Sequence, residues 1–259
     1  MSTAANIRNA FAAVAQLRAQ TAADPALAQA VVGVKRLQAQ RFSGTYADIL
    51  RTPDQGYAPA AQFFLTELYS AEDYAERDAQ FARIAGPIEK LFPAKVGALA
   101  EALAQLHALS EELDHAMGAA WLAALPKAEA IRLKKTASTP QAQTYATAWR
   151  TVGRAEDRHA QLRIVLGIGD ELERLTRTTG LRSLLRLMRG PSRAAGLEAL
   201  QAFLEKGFDT FAALARVAGG VHGFLSVIAQ RESALIDLLF SADVVACETE
   251  LQRTLGQAP

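Results

Sequence analysis

The stretch AKVGALAEALAQLHALSEELDHAMGAAWLAA, residues 94–124, decides the fold class. At about 100° per residue, Leu99, Leu103, Leu106, Leu113 and Met117 fall on one stripe with Trp121 at its edge. No proline interrupts the run, so it reads as one long helix whose apolar face needs neighbours. Two further stripes repeat the pattern: Leu197, Leu200, Leu204, Phe208 and Phe211, then Phe224, Ile228, Leu235 and Leu239. Strand alternation never lasts, and Asn-Gly and Asp-Gly hairpin turns are absent.

Working outward, helices are expected near 4–20, 25–41, 45–51, 58–69 and 71–85, with a turn at Ser43-Gly44. Beyond 94–124 a long helix runs from about 140 to 178, followed by helices near 181–189, 192–216 and 221–240 and a short tail helix. Asp24-Pro25, Thr52-Pro53, Phe92-Pro93 and Gly190-Pro191 punctuate them, because proline opens a helix and cannot continue one. Gly219-Gly220 reads as an inter-helix turn. The expectation is an all-α, multi-helix bundle of about eight to eleven helices with no sheet. Residues 126–140 change character and suit a surface loop, separating an N-terminal part, 1–125, from a C-terminal part, 141–259; one continuous domain is the equal alternative.

Half of the 259 residues are apolar, enough for a substantial core, and the formal net charge of +1 provides no global field for nucleic acid or anionic membrane. Cys247 is the only cysteine, which excludes an internal disulfide and a CxxC motif. With no apolar run long enough to span a bilayer and no convincing signal peptide, a soluble cytoplasmic setting is expected. Self-association is left open.

Chemistry concentrates between residues 42 and 81, where four of the five tyrosines stand among phenylalanines and charged groups. The helix FFLTELY, 63–69, is apolar nearly all round, so Glu67 is expected inside, needing an arginine or another donor. Arg41, Arg51, Arg77 and Arg83 are the nearby candidates. His107, Glu111 and Asp114 share the flank of the 94–124 stripe and suit either a hydrogen-bonded ladder or contacts to another helix.

Two Glu-x-x-His units, Glu112/His115 and Glu156/His159, have the spacing of ferritin-like carboxylate bundles. Glu156 and His159 share a wheel face with Tyr145 and Trp149, whereas Glu112 and His115 face away from the leucine stripe. A metal-dependent oxidase using Glu156 and His159, with iron or manganese, is therefore an alternative; no cofactor is otherwise predicted. Arg182, Arg186, Arg189 and Arg193 form a basic stripe beside Leu184, Leu185 and Met188. It suits docking to an acidic partner or membrane surface; aromatic interleaving for sequence-specific nucleic-acid binding is missing. There is no GxSxG, P-loop or HExxH, and Gly167-Ile168-Gly169 lacks the rest of a dinucleotide fingerprint.

Arg41-Phe42, Thr45-Tyr46-Ala47-Asp48, FFLTELY at 63–69, Asp73-Tyr74 and Arg77-Asp78-Ala79-Gln80-Phe81 carry a resemblance. So do Leu106 to Glu111, Gly196-Leu197, Phe203-Leu204-Glu205 and Gly207-Phe208. With these residues the chain resembles an uncharacterised family of bacterial all-helical proteins, marked by an FFLxxLY…DY…RDxQ pattern. The resemblance implies fold and origin, not activity. It draws attention to Glu67, Tyr69, Asp73, Arg77, Asp78 and His107. The leading expectation is non-catalytic binding of a small apolar or aromatic ligand, or of a protein partner. Tyr46, Tyr57, Glu67, Tyr69, Asp73, Arg77, Asp78 and His107 are the candidate contacts.

Overall fold

The computed structural model describes residues 2–52, 56–69, 72, 74–133 and 138–258, and among these every regular element is a helix. In chain order they are α1 (Thr3–Ala23), α2 (Pro25–Thr45), α3 (Ala47–Leu50), α4 (Ala58–Glu67), α5 (Ala75–Leu91), α6 (Ala94–Ala124) and α7 (Lys127–Leu133). They continue as α8 (Ala142–Val152), α9 (Ala155–Thr176), α10 (Leu181–Leu187), α11 (Arg189–Ala194), α12 (Glu198–Leu214), α13 (Gly220–Ser241) and α14 (Val244–Gln257). The number is slightly above the expected eight to eleven because short helices such as α3 and α11 add to the long ones. No helix of the described residues is long and apolar enough to cross a membrane.

Local chemistry sets the boundaries. Ser2, Asp24 and Asp243 accept hydrogen bonds from the first-turn amides of α1, α2 and α14, satisfying donors that a helix start leaves over. Pro25 opens α2, where its missing N–H costs nothing. Leu125, which precedes Pro126, is extended and ends α6, as the residue before proline prefers.

Five expectations about boundaries are corrected; the first is the surface loop at 126–140, where 127–133 form α7 with Leu133 buried. Gly44 is not a turn: α2 continues to Thr45, and Gly44 lies against the backbone of Thr254 in α14, where a Cβ would sit 1.6 Å from the carbonyl oxygen. The helix expected from 140 to 178 is two, broken at Gly153 and Arg154, both with positive φ. Helix α5 runs on through Pro87, which is exposed, so the carbonyl it leaves unpaired sits on the solvent side. Gly190-Pro191 lies within α11, and the break before α12 falls at Gly196, φ +63.

α6 is the central post, about 46 Å long at the usual rise per residue. It packs against α1 and α2 on one side and α8 and α9 on the other; α14 closes on α2 and α8, and α12 on α4, α5 and α9. The stripe residues Leu99, Leu106, Leu113, Met117 and Trp121 are buried as their spacing predicts. Phe42, Phe64, Phe211 and Phe224 anchor a second apolar cluster, and Phe11, Phe81, Ala104 and Leu200 a third. A charged seam lies between these clusters.

Candidate ligand cavity

Near the middle of α6 the leucine face gives way to polar side chains. His107, Ser110, Glu111 and Asp114 line a cavity of about 110 Å³ together with Lys35 and Gln38 of α2. Glu67, Tyr69, Tyr74, Arg77 and Asp78 form its second polar wall. Phe11, Phe81, Leu103, Leu106, Val165 and Phe203 complete it with apolar surface.

The charged groups are paired across helices, not along α6. Asp78 Oδ2 meets Arg18 Nη1 at 2.8 Å and His107 Nε2 at 2.7 Å. With the Nε2 proton given to Asp78, the nearby Arg18 Nη2 is satisfied instead by Glu111 Oε1 at 3.0 Å. The same Glu111 oxygen accepts from Lys35 Nζ at 2.7 Å. Burial pushes the Glu111 pKa up, but the Lys35 ammonium and Arg18 guanidinium outweigh it and hold the carboxyl down at about 2. Asp114 has the opposite balance. Burial raises its pKa, and its hydrogen bond comes from the neutral Gln38 amide at 3.0 Å.

Glu67 is half-buried, not fully inside, and finds two cations. Lys206 Nζ lies 2.7 Å from one oxygen and Arg77 Nη1 3.5 Å from the other. Arg77 was among the candidates; Lys206, from α12, was not. The Arg77 guanidinium lies over the Tyr74 ring at 3.9 Å and the Phe203 ring at 4.6 Å. Burial lowers its pKa, and among the described residues buried Nη1 makes no hydrogen bond beyond the long ion pair with Glu67. Behind the cavity, Arg158 is buried over Trp149 at 4.1 Å, its Nη2 also without a hydrogen bond among the described residues. Its Nη1 only just reaches Gln161, 3.5 Å away, which lines the cavity.

Among the described residues Lys35 and Arg77 line the cavity with Glu67, Asp78, Glu111 and Asp114, the last pushed toward its neutral form, while Arg18 and Lys206 pair with these acids from outside the lining. A concave, mostly apolar site with a few convergent polar groups is the usual form of a ligand pocket.

Of the residues singled out in the sequence, Glu67, Tyr69, Arg77, Asp78 and His107 share this cavity. Tyr46 lies elsewhere: fully buried, it donates to Glu232 at 3.1 Å beside Arg41. Tyr57 packs on Phe224 with ring centroids 5.6 Å apart. Asp73 lies outside the described residues. Arg18, Lys35, Gln38 and Arg158 went unnoticed in the sequence. Arg18 follows Val14 by four and Phe11 by seven, which puts it on α1's buried stripe, and Gln38 follows Val34 by four. Those positions were the available signal.

Glu156 is exposed, and the inward side chain of that turn is Arg158, because the break at Gly153 resets the helical phase. His159 meets Asp237 at 3.3 Å, His115 meets Thr21 at 2.8 Å, and Glu112 meets Arg154 at 2.6 Å. Among the described residues no group of three or more His, Cys, Asp or Glu is placed to hold a metal ion. In the basic stripe Arg182 pairs with Asp209, Arg189 with Glu205 and Arg193 with Glu198, all acids of α12.

Fold and cavity together define an all-helical protein with an internal network of ion pairs around a small amphipathic cavity. The chain belongs to the family described as a domain of unknown function, DUF8198, whose model matches residues 17–245. No curated protein and no solved structure matches it.

Proposed function

We propose that this protein binds a small organic anion with an apolar or aromatic body, in the cavity bounded by α2, α4, α5 and α6, without converting it. One observation carries the reading. Arg77 forms part of the cavity wall, its guanidinium over the Tyr74 and Phe203 rings, and among the described residues its buried Nη1 makes no hydrogen bond beyond the long 3.5 Å ion pair with Glu67. A buried donor without an acceptor costs about 1–3 kcal/mol, more when charged, and a ligand carboxylate would remove that cost.

Binding is favoured over catalysis by the way the polar groups are used. The Ser110 hydroxyl donates to the Leu106 carbonyl and accepts from Gln161, so it is not poised beside a base. His107 Nε2 is engaged with Asp78 on the wall itself.

Thermal shift against benzoate, phenylacetate and short alkanoates, each beside its uncharged amide, tests the reading. A carboxylate at about one hundred times its Kd stabilises by about 2.7 kcal/mol, and the amide does much less. Arg77→Met abolishes the shift and Arg77→Lys keeps part of it. A carboxylate panel that leaves Tm unchanged at millimolar concentration overturns the proposal, as does equal binding of the amides.

A further inference from the structure

Two more cavities share walls with the ionic one. An apolar one of about 60 Å³ has Leu103, Leu106 and Phe203 in common with it. Beyond that, sharing Leu99, Leu103 and Leu204, lies a chamber of about 300 Å³ beneath α10 and α11. Ser192 and Gln201 are the polar residues in a lining otherwise made of aliphatic and aromatic side chains. Phe81 and Leu103 stand at both ends, reaching the ionic cavity and the chamber alike. The series thus runs from charged to mostly apolar over the side of α6.

We infer that the ligand is a fatty carboxylate, its head at Arg77 and its hydrocarbon chain running past Leu103 into the chamber under α10. This rests on the reading of the ionic cavity given above and adds the chemical class of the ligand's body. Chamber volume lies at the lower end of the usual range for small-molecule pockets, about 300–1,000 Å³. Its apolar lining gains nothing from water and forfeits dispersion contacts when unfilled. A helix of another protein laid over α10 covers apolar surface but brings no carboxylate to buried Arg77. A chain with an anionic end satisfies both places at once.

The cover suits entry. α10 has no buried residue, and Leu184 and Met188, which line the chamber, remain 42% and 36% exposed. It is tied to α12 by the exposed Arg182–Asp209 pair and by one hydrogen bond from Gln201 to the Leu185 carbonyl, and the following α11 by the Arg189–Glu205 ion pair. Such pairs hold weakly and yield to salt.

Calorimetric titration of the delipidated full chain with butanoate, octanoate, decanoate and dodecanoate, beside the matching alkanols, tests this. Affinity is expected to rise about fourfold for each methylene that enters the chamber, and the alkanols to bind at least tenfold more weakly. Leu204→Trp, which fills the passage, removes the gain with chain length while butanoate binding persists. Leu184→Glu, at a half-exposed position that leaves the core intact, weakens dodecanoate in the same selective way. Affinity independent of chain length, with butanoate still bound through Arg77, overturns the fatty-chain inference and leaves the anion reading standing. Failure of every carboxylate overturns both. Dodecanol binding as tightly as dodecanoate overturns the placement of the head, and so does dodecanoate binding that is indifferent to Arg77→Met. A dimer that forms without fatty acid and is lost in Leu187→Glu, with no carboxylate bound, gives the exposed α10 surface to a second copy instead.

Discussion

Arg41 and Glu232 meet inside the protein, Nη1 to Oε1 at 2.9 Å, although 191 positions separate them in the chain. Both side chains are more than nine-tenths buried, and Tyr46 donates to the same carboxylate oxygen. Burial disfavours the guanidinium charge, yet Glu232 holds Arg41 protonated more firmly than an ordinary arginine. Removing one member strands the other. Glu232→Gln is therefore expected to cost about 3–5 kcal/mol, which lowers Tm by roughly 6–20 °C for a chain of this size. The double variant Arg41→Met/Glu232→Met recovers at least half of the loss, and adding Tyr46→Phe recovers more by removing the orphaned hydroxyl. Denaturant melts of the four proteins check this; a single variant as stable as the parent refutes it.

Glu111 makes stability depend on acid pH. Its folded pKa of about 2 lies below its ordinary value of 4.5, so the unfolded chain takes up the proton first as pH falls. The contribution is fully present above about pH 4.5 and is lost as pH falls toward 2, amounting to about 3 kcal/mol. The side chain is only 9% exposed, so little is lost to solvent screening. In Glu111→Gln the slope of unfolding free energy between pH 4.5 and 2.5 is expected to flatten, with the deficit to the parent greatest near neutrality. Parallel slopes in urea titrations would dismiss the assignment.

The helices could be read from the sequence because apolar stripes repeat at helical spacing; Leu113, Met117, Phe224 and Leu239 are all buried where their phase puts them. For Glu67 the same logic went only part of the way: it is half-buried beside Phe63 and Phe64, which are buried, and reaches a half-exposed lysine at the edge. Partners were harder to read. Glu232 stands four residues from both Ile228 and Ile236, on the buried stripe of α13, and that position marks it as internal. Which cation answers it depends on how α2 crosses α13, a long-range contact with no local signature. The same holds for Lys206 at Glu67 and Arg18 at Asp78. Helix phase failed where the backbone turned left-handed at Gly153, because wheel arithmetic assumes an uninterrupted helix.

That break yields a prediction about backbone energy alone. Gly153 has φ +68 and ψ −122, and among the described residues nothing lies within 4 Å of where its Cβ would be. Gly153→Ala is expected to lose about 1–3 kcal/mol from conformational strain without any steric clash. Gly167, also with open space around it but within α9, provides the comparison. Gly167→Ala is expected to gain about 0.5–1 kcal/mol, because a helical alanine costs less chain entropy than glycine. Opposite signs in thermal melts support the argument, and equal effects refute it.

Gly44 tests the other reason for a glycine. Its helix is regular, but a methyl group there would lie 1.6 Å from the Thr254 carbonyl oxygen and 2.6 Å from its carbon. These are backbone atoms of α14, so no rotamer change relieves the overlap. The whole C-terminal helix has to withdraw, uncovering Cys247 and Leu251, both fully buried. Gly44→Ala is expected to cost about 3 kcal/mol or more, at or above the upper end of the usual range for overpacking. It should also expose the link at Ala242 and Asp243 to proteolysis before the rest of the chain unfolds. Limited digestion followed by mass measurement distinguishes this from uniform destabilisation. Loss of stability without early cleavage at the start of α14 would place the damage in α2 instead.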